Sequence, residues 1–212
     1  SSGVSQIYSN AYAFAALKED GSVISWGNKW RGGNNQIFYS ANGTFEDVSS
    51  SLSSGVSQIF STEHAFAALK EDGSVVTWGQ SNSGGDSKIH IQGGYPPTQD
   101  ISSSLSSGVI NIYSNGICFA ALKEDGSVVT WGVDNWGGDS SSVSSELSSG
   151  VIHIYSTRSA FAALKEDGSV ITWDGGGGFL NYNYSEEVES KLTSGVVGLA
   201  DPLTNDQFDI TS

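Results

Sequence analysis

Ala13-Phe14-Ala15-Ala16-Leu17-Lys18-Glu19-Asp20-Gly21-Ser22 occurs nearly unchanged four times in this 212-residue chain. It begins again at Ala65, at Ile117-Cys118-Phe119 in variant form, and at Ala160. Each copy runs on through two β-branched residues and a Ser or Thr to a tryptophan, and Ser-Gly-Val precedes each one. The tryptophans are Trp26, Trp78, Trp131 and Trp173, at steps of 52, 53 and 42 residues. A period of that size is the mark of a repeat architecture, in which one unit cannot bury its own apolar faces and stacks on its neighbours. Whatever the copies share is then scaffold, and function is to be sought where they differ.

The third copy shows how a unit is built. Val109 to Tyr113 is apolar and β-branched, which predicts a strand. Asn115-Gly116 supplies a turn, and Phe119-Ala120-Ala121-Leu122 a second strand apolar on both faces. A strand of that kind lies between neighbours rather than against water. Lys123-Glu124-Asp125-Gly126 then closes a hairpin. Its glycine takes the positive φ and its aspartate bonds its own backbone. Val128-Val129-Thr130-Trp131 is the return strand. The same structural turn is expected at Asp20-Gly21, Asp72-Gly73 and Asp167-Gly168. One carboxylate per turn is too few to hold calcium, so no metal site is read there. After each Trp comes a Gly-rich connection. A Ser-rich segment with spaced Val and Leu follows (Val48 and Leu52, Val143 and Leu147, Val188 and Leu192), which reads as a fourth outer strand or an extended cover.

Composition supports an all-β chain. Glycine and serine are abundant, proline is scarce, methionine is absent, and no amphipathic helix of ordinary length stands out. The expected organisation is one propeller-like domain over residues 1–192, with repeats at about 1–52, 53–105, 106–147 and 148–192. A partial repeat and exit segment occupies 193–212 and contains Ser194-Gly195-Val196. The net charge of −14 disfavours nucleic acid and anionic membranes, which need lysine and arginine. It suits instead a surface that keeps repeated hairpins apart. Cys118 stands where the other copies have Ala13, Ala65 and Ala160, so it is read as a small core residue. No transmembrane stretch or signal peptide is seen, and the chain reads as a processed product or a piece of something longer.

Phe66-Ala67-Ala68-Leu69-Lys70-Glu71-Asp72-Gly73-Ser74-Val75-Val76-Thr77-Trp78-Gly79 carries a specific resemblance. Strand, hydrophobic-Ala-Leu strand, Glu-Asp-Gly turn, Val-x-x-Trp-Gly strand and Gly-rich turn together resemble the repeat of the regulator-of-chromosome-condensation family, over residues 1–196. The resemblance implies blades of four-stranded antiparallel sheet arranged as a β-propeller. It also implies that Trp26, Trp78, Trp131 and Trp173 occupy the packing position of the core. Two departures stand out. Four blades are at the low end of the range over which such rings close, so an incomplete ring, or one completed by another chain, is an alternative. The fourth copy has Trp173-Asp174 in place of Trp-Gly. The family's nucleotide exchange on a small GTPase and its chromatin binding are not carried over, because the basic surfaces they use are missing here. Other members resemble platforms for protein–protein interaction.

The copies differ most after the tryptophan. Asn28–Glu46 and Gln80–Asp100 are longer than the matching part of the third repeat, and variable loops on a constant scaffold are where binding usually lives. Aromatic and polar residues concentrate there and in the corresponding part of the fourth repeat. The candidate binding residues are Trp30, Asn35, Phe38, Tyr39, His90, Tyr95, Trp136, Tyr182 and Tyr184. Such a mixture stacks on and hydrogen-bonds a protein or a glycan, whereas the alternative is that these rings fold down over blade edges. No catalytic motif recurs: His64, His90 and His153 sit at non-equivalent positions, and no metal-ligand spacing is repeated. No cofactor is expected. The expected function is that of a non-enzymatic, extracellular or cell-surface structural or interaction protein, without membrane insertion, that self-associates or binds a protein or glycan. The alternative is a lectin-like, inhibitor or adhesin module of a larger surface protein.

Overall fold

The computed structural model describes residues 3–90 and 99–173. These residues are all-β, built on one three-stranded antiparallel unit repeated four times. The first comprises β1 (Val4–Ser9), β2 (Ala13–Lys18) and β3 (Val23–Gly27). A hairpin follows, β4 (Gln36–Tyr39) and β5 (Thr44–Asp47). The second unit is β6 (Val56–Ser61), β7 (Ala65–Lys70) and β8 (Val75–Gln80), followed by β9 (Lys88–His90) and β10 (Gln99–Asp100). The third is β11 (Val109–Ser114), β12 (Cys118–Lys123) and β13 (Val128–Val133). The fourth is β14 (Val151–Ser156), β15 (Phe161–Lys165) and β16 (Val170–Trp173).

The blades are not uniformly four-stranded. The hairpin β4–β5 leaves the first repeat and joins the second, giving the order β5-β4-β8-β7-β6. There β4 runs parallel to β8, with Ile37 opposite Gly79. The pair β9–β10 does the same for the third repeat, giving β10-β9-β13-β12-β11, with Ile89 opposite Gly132. The first and fourth sheets have three strands among the described residues. The shorter connection after Trp131 forms 3₁₀ turns at Ser141–Val143 and Glu146–Ser148 where the longer ones form antiparallel strand pairs. The Ser-rich segments among the described residues are therefore covers rather than outer strands, and Val188 and Leu192 lie outside those residues. Each lodges one leucine in the core, namely Leu52, Leu105 and Leu147.

Burial on both faces explains the unusual middle strand. Its side chains alternate between two neighbouring cores. In β7, Ala65, Ala67 and Leu69 face forward onto Val109, Ile112, Phe119 and Trp131 of the third repeat. Phe66 and Ala68 face backward onto Ala13, Ala15, Leu17 and Val23 of the first. Repeats three and four dock in the same way, through Cys118, Ala120 and Leu122 against Val151, Ile154, Phe161 and Trp173. A bulge between Val56 and Gln58 puts Val56 and Ile59, three residues apart, on one face. Small forward residues and bulky backward ones make each joint a layer of alanine and leucine receiving phenylalanine and tryptophan.

The Asp-Gly turn belongs to this joint as well. The Val56 amide donates to the Gly21 carbonyl at 3.0 Å, and Val109 does so to Gly73 and Val151 to Gly126. A Cβ on Gly73 would lie 2.8 Å from the Gly108 nitrogen of the next repeat, and φ there is +73°. Glycine is thus required twice over, for its conformation and for the closeness of the next blade.

Candidate functional site

The four acidic turns use their carboxylates on themselves. One Asp72 oxygen accepts from the Ser74 amide at 2.9 Å and from its hydroxyl at 2.6 Å. Asp125 and Asp167 make the same pair of bonds to Ser127 and Ser169. Asp20 accepts likewise from Ser22. The serine hydroxyl, and after it the serine amide, holds the Asp72, Asp125 and Asp167 carboxyls below the usual carboxylate range.

An open concavity of about 560 Å³ lies where the turns after the innermost strands converge, lined by Asn10, Thr62, Glu63, Asn115 and Arg158 among others. Backbone bonds chain these turns together: Ala11 N to Glu63 O, Glu63 N to Gly116 O, and Gly116 N to Arg158 O. The polar side chains here are committed to the fold. Asn10 donates to the Arg31 carbonyl at 2.8 Å, Thr62 to Ser83 at 2.9 Å and Asn115 to Trp136 at 2.7 Å. Arg158 and Glu63 form an exposed ion pair at 3.4 Å. Among the described residues that line the concavity, no nucleophile, base and oxyanion donors come together.

The long connection of the first repeat makes an aromatic ridge. Phe38 and Phe45 face each other across β4–β5 with centroids 5.1 Å apart. The Lys29 ammonium lies 5.1 Å from the Trp30 ring and 5.6 Å from Phe45. Trp30 is 47% exposed. The Tyr39 hydroxyl donates to Glu46 at 2.7 Å, and the Lys88 ammonium sits 5.4 Å from the Tyr39 ring. Burial, reinforced by the bond to Glu46, raises the Tyr39 hydroxyl above its ordinary value. Behind the ridge the Arg31 guanidinium stands 5.4 Å from the Tyr12 ring and bonds Gln80. Tyr12 in turn lies 5.3 Å from His64. Burial first, then Arg31, lowers the His64 pKa.

The structure thus gathers Trp30, Phe38 and Phe45 around Lys29, and sets Tyr39, with Glu46 and Lys88, on the other face of β4–β5. Asn35 points inward: φ of +52° places it in the left-handed region that asparagine tolerates. Its side chain donates to the Val23 carbonyl at 3.0 Å and accepts from the Ser25 hydroxyl. It fixes the connection rather than presenting a binding group. Trp136 also departs from expectation, because it is partly buried against the core between repeats three and four. His90 ends β9, opposite Val133. Tyr95, Tyr182, Tyr184 and the 193–212 segment lie outside the described residues.

The largest departure is Trp26. Trp78, Trp131 and Trp173 are buried, and their indole N–H groups donate to Gly32, Gly84 and Gly137 of the preceding repeat at 3.0–3.1 Å. Each stacks on the phenylalanine beside it, as in the Phe66–Trp78 pair at 5.2 Å. Trp26 stacks on Phe14 at 5.4 Å in the same way, yet it is 43% exposed and Phe14 45%. Val4 and Ile7 are 55% and 59% exposed, whereas their counterparts Val56, Val109, Val151, Ile59, Ile112 and Ile154 are at most 4%. A core position takes its burial from the preceding repeat, and among the described residues no repeat lies behind the first. Sequence reasoning treated the four tryptophans alike because their local sequences are alike. The signal it missed was order along the chain.

No family model matches the chain, and no curated protein matches it. Among solved structures it is similar to human WBSCR16, an RCC1-like protein, with a TM-score of 0.54 and 18% identity over 81% of this chain and 47% of that one. It also matches Prp20p of Saccharomyces cerevisiae, a protein described with its binding to Gsp1p and histones, at a TM-score of 0.47 and 18% identity over 80% of this chain and 43% of that one. The CRINKLY WD40 ectodomain of the Arabidopsis thaliana receptor kinase ACR4 matches at 0.43 and 13%, over 82% and 52%. The chain spans less than half the length of the first two. Its repeating blades, joint by joint, and the likeness to WBSCR16 together give this chain an RCC1-like β-propeller fold.

Proposed function

We propose that this chain is a non-enzymatic interaction scaffold of the cell surface or extracellular space. It binds another protein, or another copy of itself, through apolar surface that its repeats leave uncovered. The observation that carries this reading is the exposed face of the first repeat. Val4, Ile7, Phe14, Ile24 and Trp26 form a contiguous apolar surface on an otherwise acidic protein, and such patches mark contact sites. The location is supported by the acidic composition and the near-identical repeats. The test is binding of an apolar fluorescent dye to wild type and to Phe14→Lys at low concentration. The reading predicts dye binding, or a mass above that of one chain, and loss of either in the variant. A monomer that binds no dye and is unaltered by Phe14→Lys would contradict it.

A second reading rests on the ridge of Trp30, Phe38 and Phe45, with Lys29 against its rings. It suits a lectin-like or protein-binding module, since exposed aromatics with polar neighbours stack on sugars and protein side chains alike. Trp30→Ala and Phe45→Ala are then expected to abolish binding in a glycan or peptide array while leaving the urea midpoint in place. Unchanged binding by both variants removes the ridge from the account.

A further inference from the structure

The aromatic ridge of the first repeat already holds a cation. Lys29 opens the 3₁₀ turn Lys29–Arg31, whose start is fixed by the Asn28 side chain accepting from the Trp30 amide at 3.0 Å. Its ammonium lies 5.1 Å from the Trp30 ring and 5.6 Å from the Phe45 ring, and Phe38 backs Phe45 at 5.1 Å. Two rings at these distances offer their π faces to one positive charge. Among the described residues Lys29 makes no ion pair. Lys88, on the other face of β4–β5, also lies near a ring, Tyr39, yet it pairs with Asp86 at 3.6 Å. Lys29 is thus held by rings where Lys88 is held by a carboxylate.

The scaffold does not require this cluster. Counted from the tryptophans, Lys29 and Trp30 correspond to Ser81 and Asn82 in the second repeat, and to Asp134 and Asn135 in the third. Phe38 corresponds to His90, by the matching pairs Ile37–Gly79 and Ile89–Gly132. The joints form without these rings, so packing alone does not account for them. Lys29, Trp30 and Phe45 are exposed. Asp47, also exposed, stands two residues along β5 from Phe45 and on the same face. The chain carries a net charge of −14, so its field draws cations and repels anions.

Resting on the reading of this ridge as a binding surface, we propose that Trp30, Phe38 and Phe45 receive a quaternary ammonium group, and that Lys29 is the placeholder which that group displaces. A lysine ammonium is compact and strongly hydrated, and it gives up water to sit against a ring. A quaternary ammonium has no N–H for water to hold and turns methyl groups to the rings, which is why aromatic cages take it. The Lys29 side chain is long and exposed, so its ammonium returns to water when displaced.

The test is an NMR titration of the full chain with choline, read at the Trp30 indole N–H and assigned with Trp30→Phe. Sodium chloride and dimethylbutanol, the uncharged isostere of choline, are the controls. Choline is expected to shift the Trp30 signal saturably and to bind about fivefold or more tightly than the isostere. Lys29→Ala is expected to tighten choline binding about twofold to fivefold, the worth of one exposed cation–π contact. Lys29→Gln, which keeps the length of the stem without the charge, should do the same. Phe45→Ala is expected to weaken choline binding by a similar factor. No shift in wild type or in either Lys29 variant overturns the inference. So does a shift that sodium chloride reproduces, equal binding of the isostere, or weaker choline binding by both Lys29 variants. Sedimentation with phosphatidylcholine vesicles separates the sources of the group: co-sedimentation lost in Phe45→Ala assigns it to a lipid headgroup, and choline binding without co-sedimentation to a soluble ligand. If Trp30→Ala and Phe45→Ala abolish binding in the glycan or peptide array while choline does not bind, the ridge stands as a binding surface and only the ligand class named here fails.

Discussion

Two glycines with the same backbone angle separate conformation from contact. Gly43, at the tip of β4–β5, and Gly73, in the second Asp-Gly turn, both have φ of +73°. A Cβ on Gly43 would meet nothing within 4 Å, whereas one on Gly73 would lie 2.8 Å from the Gly108 nitrogen. Gly43→Ala therefore carries only the left-handed penalty, roughly 1–2 kcal/mol. A smaller unfolded-state entropy offsets part of it, about 0.4–1 kcal/mol. Gly73→Ala carries the same terms and in addition pushes two blades apart. Overpacking of that kind costs about 1–3 kcal/mol, and loss of the Val109-to-Gly73 hydrogen bond about 1 kcal/mol more. The difference between the two variants is then about 2–4 kcal/mol. Urea unfolding followed by tryptophan fluorescence measures it, provided both variants keep the wild-type slope. Equal midpoints for Gly43→Ala and Gly73→Ala would show that the Asp-Gly turn is only a hairpin tip, and would refute the joint described for it.

Three further outcomes follow from the same packing. Phe119→Ala, at a buried joint, is expected to cost about 3–5 kcal/mol in urea unfolding, and Phe14→Ala in the monomer less than half of that; equal losses would contradict the open face. The Asp72, Asp125 and Asp167 carboxyls have pKa values lowered by their serines. Their stabilising contribution is therefore complete above the unfolded value of 3.8 and is lost as pH falls through the lower folded values. The triple Asn variant, which keeps the acceptor oxygen, should lose less stability than wild type between neutral pH and pH 3 in that comparison; parallel pH profiles would remove the turns from the acid response. Cys118 is buried, and burial raises its thiol well above the ordinary value, so a thiol reagent should label it only at the rate of unfolding; prompt labelling of the native chain would contradict its place in the third joint.

Much of this was legible from residue patterns. The strand-turn-strand unit follows from Phe-Ala-Ala-Leu, Asp-Gly and Val-x-x-Trp, because strand alternation and turn chemistry are local. The position of the tryptophan at the joint follows for Trp78, Trp131 and Trp173 for the same reason. What was not legible depends on neighbours. Trp26 has the same local sequence and is exposed, since its burial is set by a repeat that would have to precede it. Gln36–Tyr39 and Thr44–Asp47 flank an Asn42-Gly43 turn and so carry a hairpin signature of their own. Their attachment, parallel to β8 of the following repeat, is a non-local pairing that no short stretch encodes. Asn35 reads as a polar loop residue, and only its left-handed backbone and its bonds to Val23 and Ser25 reveal it as an anchor.

The claim at the centre of this account is that, among the described residues, one joint surface is covered three times and left open once. Hydrogen exchange at the indole N–H groups, followed by NMR with the tryptophans assigned by substitution, measures this directly. The account predicts slow exchange for Trp78, Trp131 and Trp173, each bonded to a carbonyl of the preceding repeat, and fast exchange for Trp26 in the dilute monomer. A Trp26 indole protected in the monomer as well as the other three are would contradict it.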